Sequence, residues 1–124
     1  MKSSLNWFEI PVANFERAAR FYESMLALKL KREAFGGEQM AIFPAIDPGV
    51  GGALVAGERR KPSGEGTLIF LDAPELETSL VRAATAGGKI AMPLTDIGEM
   101  GEIAAVIDSE GNRVGLHRAR AVAG

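Results

Sequence analysis

The stretch NWFEIPVANFERAARFYESML, Asn6 to Leu26, decides the fold because its hydrophobic pattern changes from the period of a strand to that of a helix. In its first part alternate residues point to opposite sides of a strand, Trp7, Glu9 and Pro11 to one and Phe8, Ile10 and Val12 to the other. Asn14 then has the side chain of a helix N-cap. Apolar residues follow at helical spacing, namely Phe15, Ala18, Ala19, Tyr22, Met25 and Leu26. The stretch therefore predicts a strand and an amphipathic helix.

The same order of elements is predicted twice along the chain. Three short strands follow the first helix, in LKLKREAF, EQMAIFP and GGALVAG. A second strand and helix follow, TLIFLDA and a helix that we expect to begin at Pro74 and to end at Gly87-Gly88. KIAMPLTDI, GEIAAVID and RVGLH supply the last three strands, with hairpin-turn residues SEGN between the final two. The order is βαβββ, repeated once.

This repetition predicts one domain, residues 1–124, built from two modules at 4–57 and 66–119, with a linker at 58–65 and a tail at 120–124. A module of about 60 residues buries too little apolar surface to fold alone, so the two should pack together. We expect an α+β fold in which two tandem βαβββ modules form a cupped, half-barrel mixed sheet with the helices outside. The concave face of such a cup is a natural site for a small molecule.

Composition and charge exclude several kinds of partner. The chain has 14 Lys and Arg against 16 Asp and Glu, so its net charge of -2 provides no strong field of one sign. We therefore expect neither nucleic acid nor a membrane surface as a partner. There is no cysteine, and the first residues contain no long apolar run, so the expected location is the cytoplasm.

The linker contains a basic triplet, Arg59-Arg60-Lys61, within GERRKPSGEG. Such a cluster suits an anionic ligand, but a solvated loop is the more common meaning of a short charged run between Gly and Pro residues. We favour the solvated loop.

Several motifs together resemble the vicinal oxygen chelate superfamily, the group of glyoxalases, bleomycin resistance proteins and extradiol dioxygenases. IPVANFERAARFYESML resembles its first strand and helix, with Asn14 where aspartate is common. The closing IDSEGNRVGLH resembles its D-P-x-G-N hairpin and last strand, with Ser109 where proline is common, and AGGKI and PLTDIGEMG also fit. The resemblance covers nearly the whole chain and agrees with the repeated βαβββ order. It implies a fold, but not one function, because the superfamily contains isomerases, epimerases, dioxygenases, thiol transferases and drug-binding proteins.

The resemblance also implies four positions for metal ligands, and this chain lacks ligands at them. The positions fall on Trp7, on Gly52 or Ala53, on Thr67 and on Gly115. His117 is the only histidine, so the usual two-histidine site cannot form in any register. We therefore expect no metal and no other cofactor.

If the ligand positions mark the inner face, strand parity gives a set of cup-lining residues. They are Trp7, Glu9 and Pro11 on the first strand, Thr67, Ile69 and Leu71 on the fifth, and Arg113, Gly115 and His117 on the last. Trp7 would stack on a flat ligand, or else be ordinary core. Glu9 would pair with Arg113, His117 or a polar ligand group and act as a general base, or else make a structural hydrogen bond. His117 would face the ligand, or else the surface or an interface.

Two functional classes follow from these residues. The favoured one is a metal-independent protein that binds an aromatic or amphipathic small molecule through Trp7, Glu9, Thr67, Ile69, Leu71, Arg113 and His117. The alternative is an enzyme of the same superfamily, a lyase, isomerase, epimerase or dioxygenase, that uses Glu9 as a base or a metal with differently placed ligands. A third hypothesis is an accessory subunit without activity. A homodimer is expected, because the family resemblance implies pairing and a sheet edge would otherwise be exposed.

Overall fold

The computed structural model describes residues 5–45 and 49–120, with eight strands, two α-helices and one short 3-10 helix in that part of the chain. The first half contains β1 (Trp7–Pro11), α1 (Phe15–Leu26), β2 (Lys31–Phe35), β3 (Glu38–Ile42) and β4 (Gly51–Ala56). The second half contains β5 (Phe70–Asp72), α2 (Leu76–Thr85), β6 (Lys89–Asp96), the 3-10 turn Gly98–Met100, β7 (Glu102–Ile107) and β8 (Arg113–Arg118). The repeated βαβββ order is confirmed. Ser4 and most of the predicted tail, 121–124, lie outside the described residues.

The strands form two four-stranded mixed sheets with the same topology. Their orders are β1-β4-β3-β2 and β5-β8-β7-β6. In each sheet the first and last strands of the module pair in parallel, and the other pairs are antiparallel. The predicted α+β class with two tandem modules is therefore confirmed, and the sheets remain open. No described helix is long and apolar enough to span a membrane.

Helix α1 forms where its residues predict it. The side chain of Asn14 accepts the N–H of Arg17 at 3.0 Å, which satisfies one of the free donors at the helix start. At the other end Ala27 adopts a left-handed conformation, with φ 53°, and its N–H bonds to the carbonyl of Glu23. Between these caps, Ala18, Ala19, Phe21, Tyr22 and Met25 are fully buried against the core. This helix packs against β3 and β4 of the first sheet.

Helix α2 begins at Leu76, two residues after the predicted start at Pro74. The cause is Glu75, whose φ of -108° and ψ of 64° are not helical, so Pro74 belongs to the preceding turn. The end of the helix agrees closely with the predicted end at Gly87-Gly88. The helix stops at Thr85, and Gly87 has a φ of 103°, which a glycine adopts without strain. Strand β5 is also shorter than predicted, because only Phe70 to Asp72 pair with β8.

The two modules are joined by buried polar contacts at the β7–β8 hairpin as well as by apolar packing. The hydroxyl of Tyr22, on α1, donates to Asp108 Oδ2 at 2.6 Å, and both side chains are buried. Asn112 Nδ2 donates to the carbonyl of Pro11 at 2.7 Å. These contacts hold the end of β1 against the start of β8, and they fix the place where the cup-lining strands meet.

Candidate functional site

The inner face of β1 carries Trp7 and Glu9, as strand parity predicts, while Ile10 is buried on the helix side. Trp7 is 41% exposed, so the alternative that it is ordinary core does not hold. Its ring passes over Gly51 of the paired strand, where a Cβ would be only 3.1 Å from Trp7 Cζ3. A glycine at this position therefore allows the indole to lie flat on the sheet.

Two side chains donate to the Glu9 carboxylate, and neither is one of its predicted partners, Arg113 and His117. Trp7 Nε1 donates to Glu9 Oε2 at 3.1 Å, and Arg60 Nη2 lies 2.8 Å from Glu9 Oε1. Arg60 also binds Glu38 of β3, with Nε 2.7 Å from Oε2. The prediction that Arg113 or His117 would pair with Glu9 was wrong, because Arg60 reaches the sheet face and is shared by this carboxylate and Glu38.

The linker is consequently a wall of the site. Arg60 attaches it to the inner face of the first sheet, and the N–H of Ser63 donates to Asn112 Oδ1 at 3.0 Å at the start of β8. The expectation of a solvated loop is wrong for Arg60, and it holds for the exposed Arg59. The sequence signal was the basic triplet itself, but no local pattern identifies which of its three cations turns toward the sheet.

A cavity of about 220 Å³ lies between the end of β1, the linker and the start of β8. We call it the polar cavity, and its lining residues are Glu9, Ile10, Pro11, Lys61, Ser63, Glu65, Thr67, Ile69, Asn112, Arg113 and Val114. It brings together four of the predicted site residues, Glu9, Thr67, Ile69 and Arg113. Lys61, Ser63 and Glu65 line it as well and were not predicted, because they belong to the linker.

A larger and more apolar groove of about 490 Å³ lies at the other end of β1 and β5. We call it the apolar groove, and it is lined by Leu5, Phe8, Val50, Leu68, Ile69, Phe70, Leu71 and Asp72. Asp72 is its only charged residue. Ile69, just before β5, lines both spaces, so the polar cavity and the apolar groove are neighbours.

On β5, Leu71 points to the side of the sheet opposite to the one that the sequence analysis predicted. In its parallel pairing with β8, Phe70 is opposite Gly115 and Leu71 is opposite Leu116. Leu71 and Leu116 are both buried in the core under the helices, whereas Phe70 is 47% exposed on the inner face. Leu71 therefore lies on the core side of β5 and not on the inner face, although it also borders the apolar groove. Phe70 is the residue that the sequence analysis missed, because a short strand gives too few residues to fix its phase.

His117 lies away from both spaces. Its Nε2–H donates to the carbonyl of Met100 at 2.6 Å, and its partner across the sheet on β5 is Asp72. The ring is partly buried and holds the 3-10 turn against β8. The predicted inward residues that do not line the polar cavity are Trp7, Leu71, Gly115 and His117, although Trp7 contacts Glu9, which does.

The residues at the positions implied for metal ligands do not fit a metal. Gly115 has no side chain, and a Cβ placed on it would overlap the ring of Phe70. Trp7 offers only an indole N–H, which is a donor. Within residues 5–45 and 49–120, no group of three His, Asp or Glu side chains converges as a metal site would require.

Comparisons with known proteins agree on one family. The profile of the Glyoxalase/Bleomycin resistance protein/Dioxygenase superfamily matches residues 4–116. No curated protein matches the chain with significance.

Solved structures with the same fold cover most of the chain. A glyoxylase/bleomycin resistance protein/dioxygenase domain from Frankia sp. EAN1pec superposes with a TM-score of 0.71 at 17% identity, covering 97% of this chain and 100% of that one. TnmS3, an antibiotic binding protein from Streptomyces sp. CB03234, gives 0.69 at 20% identity, covering 95% and 97%. A glyoxalase I variant from Zea mays gives 0.69 at 19% identity, with 91% of this chain matching 46% of that one. The chain belongs to the Glyoxalase/Bleomycin resistance protein/Dioxygenase superfamily.

Proposed function

We propose that this protein binds an aromatic or amphipathic small molecule between β1 and β5, without a metal ion. The observation that carries the proposal is the apolar groove of about 490 Å³, which shares Ile69 with the polar cavity. Ligand pockets of about 300–1,000 Å³ with mostly apolar linings and a few polar groups are typical of small-molecule sites. The likeness to an antibiotic binding protein of Streptomyces supports the same class of function.

The exposed aromatic side chains support this proposal. Phe70 on β5 and Leu68 just before it are both more than two-fifths exposed, and so is Trp7 on β1. Leu68 and Phe70 both line the apolar groove, and exposed apolar groups that lie together mark a binding surface, because their contact with water is unfavourable until a ligand covers them. Aromatic rings also stack on flat ligands.

Metal independence is supported by the side chains that replace ligands. The ring of Phe70 occupies the space over Gly115, and Trp7 covers Gly51 in the same way on the first sheet. Trp7 thus stands at one implied ligand position with a ring that cannot bind a metal, and Phe70 covers another such position, Gly115, with apolar surface. The cup is therefore suited to bind by shape and stacking.

The enzymatic alternative depends on Glu9 as a general base. Each of its carboxylate oxygens already accepts a hydrogen bond or ion pair, from Trp7 and from Arg60. The geometry supports an anchoring role for Glu9 better than proton abstraction.

Binding of the neutral flat probe 2-naphthamide tests the proposal. Trp7 is the only tryptophan, and it contacts Glu9 at the wall of the polar cavity, so its fluorescence reports on the neighbourhood of the site. We expect saturable quenching and a raised melting temperature, both unchanged by EDTA. Phe70→Ser should weaken binding about tenfold, by the loss of one stacked ring. The matched control is Val81→Ser, at an exposed apolar residue on α2.

The contrary results are equally specific. A stoichiometric divalent ion in the purified protein, or binding that EDTA abolishes, would overturn metal independence. Equal binding by the Phe70→Ser and Val81→Ser variants would move the site elsewhere. Glu9→Gln separates binder from enzyme, since a binder keeps its probe affinity and a base-dependent enzyme loses turnover while it still binds.

A homodimer is part of the proposal. The edge strand β2 is exposed along its whole length, and Phe35 at its end is 76% exposed. Pairing of two copies would cover this surface. Light scattering at micromolar concentration tests it, and a monomer would contradict it. The cytoplasmic location stays a prediction.

A further inference from the structure

We propose that the polar cavity receives a single negative charge of the ligand, so that the ligand class is a flat aromatic acid with one carboxylate. The inference rests on the proposed function, because the aromatic body of the ligand would occupy the apolar groove. The proposed contacts are Lys61 of the linker and Arg113 of β8.

The charges around the polar cavity favour one anion. Lys61 and Arg113 both line it, and neither belongs to an ion pair formed within the described part of the chain. Glu9 also lines it and is already held by Arg60, which it shares with Glu38. Among the lining residues Glu65 is the one acid outside these ion pairs. The two unpaired cations outnumber the one unpaired acid, which favours a single anion, while the like charges of Glu9 and Glu65 disfavour a dianion.

The size and the lining of the cavity fit a head group. At about 220 Å³ the cavity is smaller than the usual range for a whole ligand, so it has room for one polar group of the ligand and the atoms bonded next to that group. The hydroxyl groups of Ser63 and Thr67 add hydrogen-bonding groups at its wall. Ile69 forms the border with the apolar groove, which places the aromatic part of the same molecule next to Phe70.

The linker wall is held in place before any ligand binds. The Ser63 N–H bond to Asn112 and the Arg60 pair with Glu9 fix the linker on either side of Lys61. Asn112 is itself buried and bonded to Pro11 and Asp108. A wall fixed in this way loses little conformational freedom on binding, which favours affinity.

A set of four naphthalene probes tests the charge preference. They share one ring system and carry a carboxylate (2-naphthoate), a neutral amide (2-naphthamide), an ammonium group (2-naphthylmethylammonium) or a dianion (2-naphthyl phosphate at pH 8). Titration followed by Trp7 fluorescence gives each affinity. We expect 2-naphthoate to bind about tenfold more tightly than 2-naphthamide, by one charge-assisted hydrogen bond. The ammonium and the dianion should bind more weakly than 2-naphthoate.

Variants identify the cations. Arg113→Gln and Lys61→Gln should each weaken 2-naphthoate several-fold and leave 2-naphthamide unchanged. Arg59→Gln is the matched control, because it removes the same charge from the same linker at a residue outside the cavity lining. Added salt should weaken 2-naphthoate in the wild type and weaken it less in the Arg113→Gln variant, in which Lys61 is the one remaining proposed contact.

The outcomes separate this inference from the proposed function. If the four probes bind equally, or if the ammonium binds best, the carboxylate site is overturned while aromatic binding stands. Equal losses in the Arg59→Gln and Arg113→Gln variants would overturn the named contacts, because they indicate a general effect of charge. If no probe binds, the proposed function itself fails, and the carboxylate site with it.

Discussion

Glu110, in the β7–β8 hairpin of the second module, accepts the backbone N–H of Asn14 at 2.7 Å, at the start of α1 in the first module. The same carboxylate accepts the N–H of Ala13 at 3.0 Å and binds the guanidinium of Arg17 at 2.7 Å. A residue of one module thus satisfies free donors at the helix start of the other. The two modules are therefore coupled, and weakening this contact should affect the stability of the whole domain.

Loss of the Glu110 charge should lower stability in a pH-dependent way. Burial opposes ionisation, but Arg17 and the N–H groups of Asn14 and Ala13 outweigh it and lower the pKa of Glu110 from 4.5 to about 2. Because the pKa is lower in the folded state, the stabilisation is complete above pH 4.5 and is lost as the pH falls toward 2. Its full size is about 3 kcal/mol. Urea unfolding from pH 7 to pH 3 should show a steeper loss for the wild type than for Glu110→Gln.

Glu65→Gln is the control for this prediction. It removes an equal charge from an exposed linker residue and should reproduce the pH dependence of the wild type. Parallel curves for the wild type and the Glu110→Gln variant would show that Glu110 contributes no proton-linked stability.

The hydroxyl of Tyr22 should contribute to stability through Asp108. Its bond to Asp108 Oδ2 is 2.6 Å long and buried, and a hydrogen bond to a charged group contributes about 1.5–3 kcal/mol. Tyr22→Phe should reduce the free energy of unfolding by this amount. In a double-mutant cycle the loss should largely disappear when Asp108→Asn is already present.

The alkaline titration of Tyr22 gives a second test. Burial and the negative charge of Asp108 raise the pKa of this phenol well above 10.0. Since the folded state holds the proton more tightly than the unfolded chain, the stability is present below pH 10 and is lost above it. Tyr22 is the only tyrosine, so phenolate absorbance should appear only together with unfolding. A titration near pH 10 in the folded protein would contradict the buried bond.

Local patterns predicted the elements that depend on local rules. Asn14 is an N-cap because its short side chain reaches the N–H of Arg17 within its own turn, and hydrophobic period alone predicts the buried face of α1. The duplicated element order and the inner face of β1 were predictable for the same reason. None of these depends on residues far away in the chain.

The site was only partly predictable, because its decisive contacts join distant residues. Arg60 is 51 positions from Glu9, and only the folded path of the linker shows that it, and not Arg59, turns toward the sheet. Glu110 is 96 positions from Asn14. The prediction of which β5 side chains point inward failed, because a strand of three residues shows too little alternation of apolar and polar residues to define a face.

Gly101 should not tolerate a side chain. It has a φ of 109°, and a Cβ there would overlap the carbonyl of Arg118 and lie 2.9 Å from the N of Arg120. Gly98 has a φ of 85° and nothing within 4 Å of its Cβ position. We expect Gly98→Ala to cost about 1–2 kcal/mol, for the strained backbone alone. Gly101→Ala should cost clearly more, because the backbone must also move. Chemical denaturation of both variants measures the difference, and equal losses would refute the overlap.

Gly115→Ala should separate ligand binding from stability. A Cβ at this position would overlap the ring of Phe70 and lie 2.8 Å from its Cγ, so the ring must leave the sheet surface. Phe70 is 47% exposed and can rotate into solvent, so the cost in unfolding free energy should be about 1 kcal/mol or less. Binding of 2-naphthamide should fall about as far as in Phe70→Ser, since both changes remove the same stacking surface. Unchanged affinity in the Gly115→Ala variant would show that the ring position over Gly115 plays no part in binding.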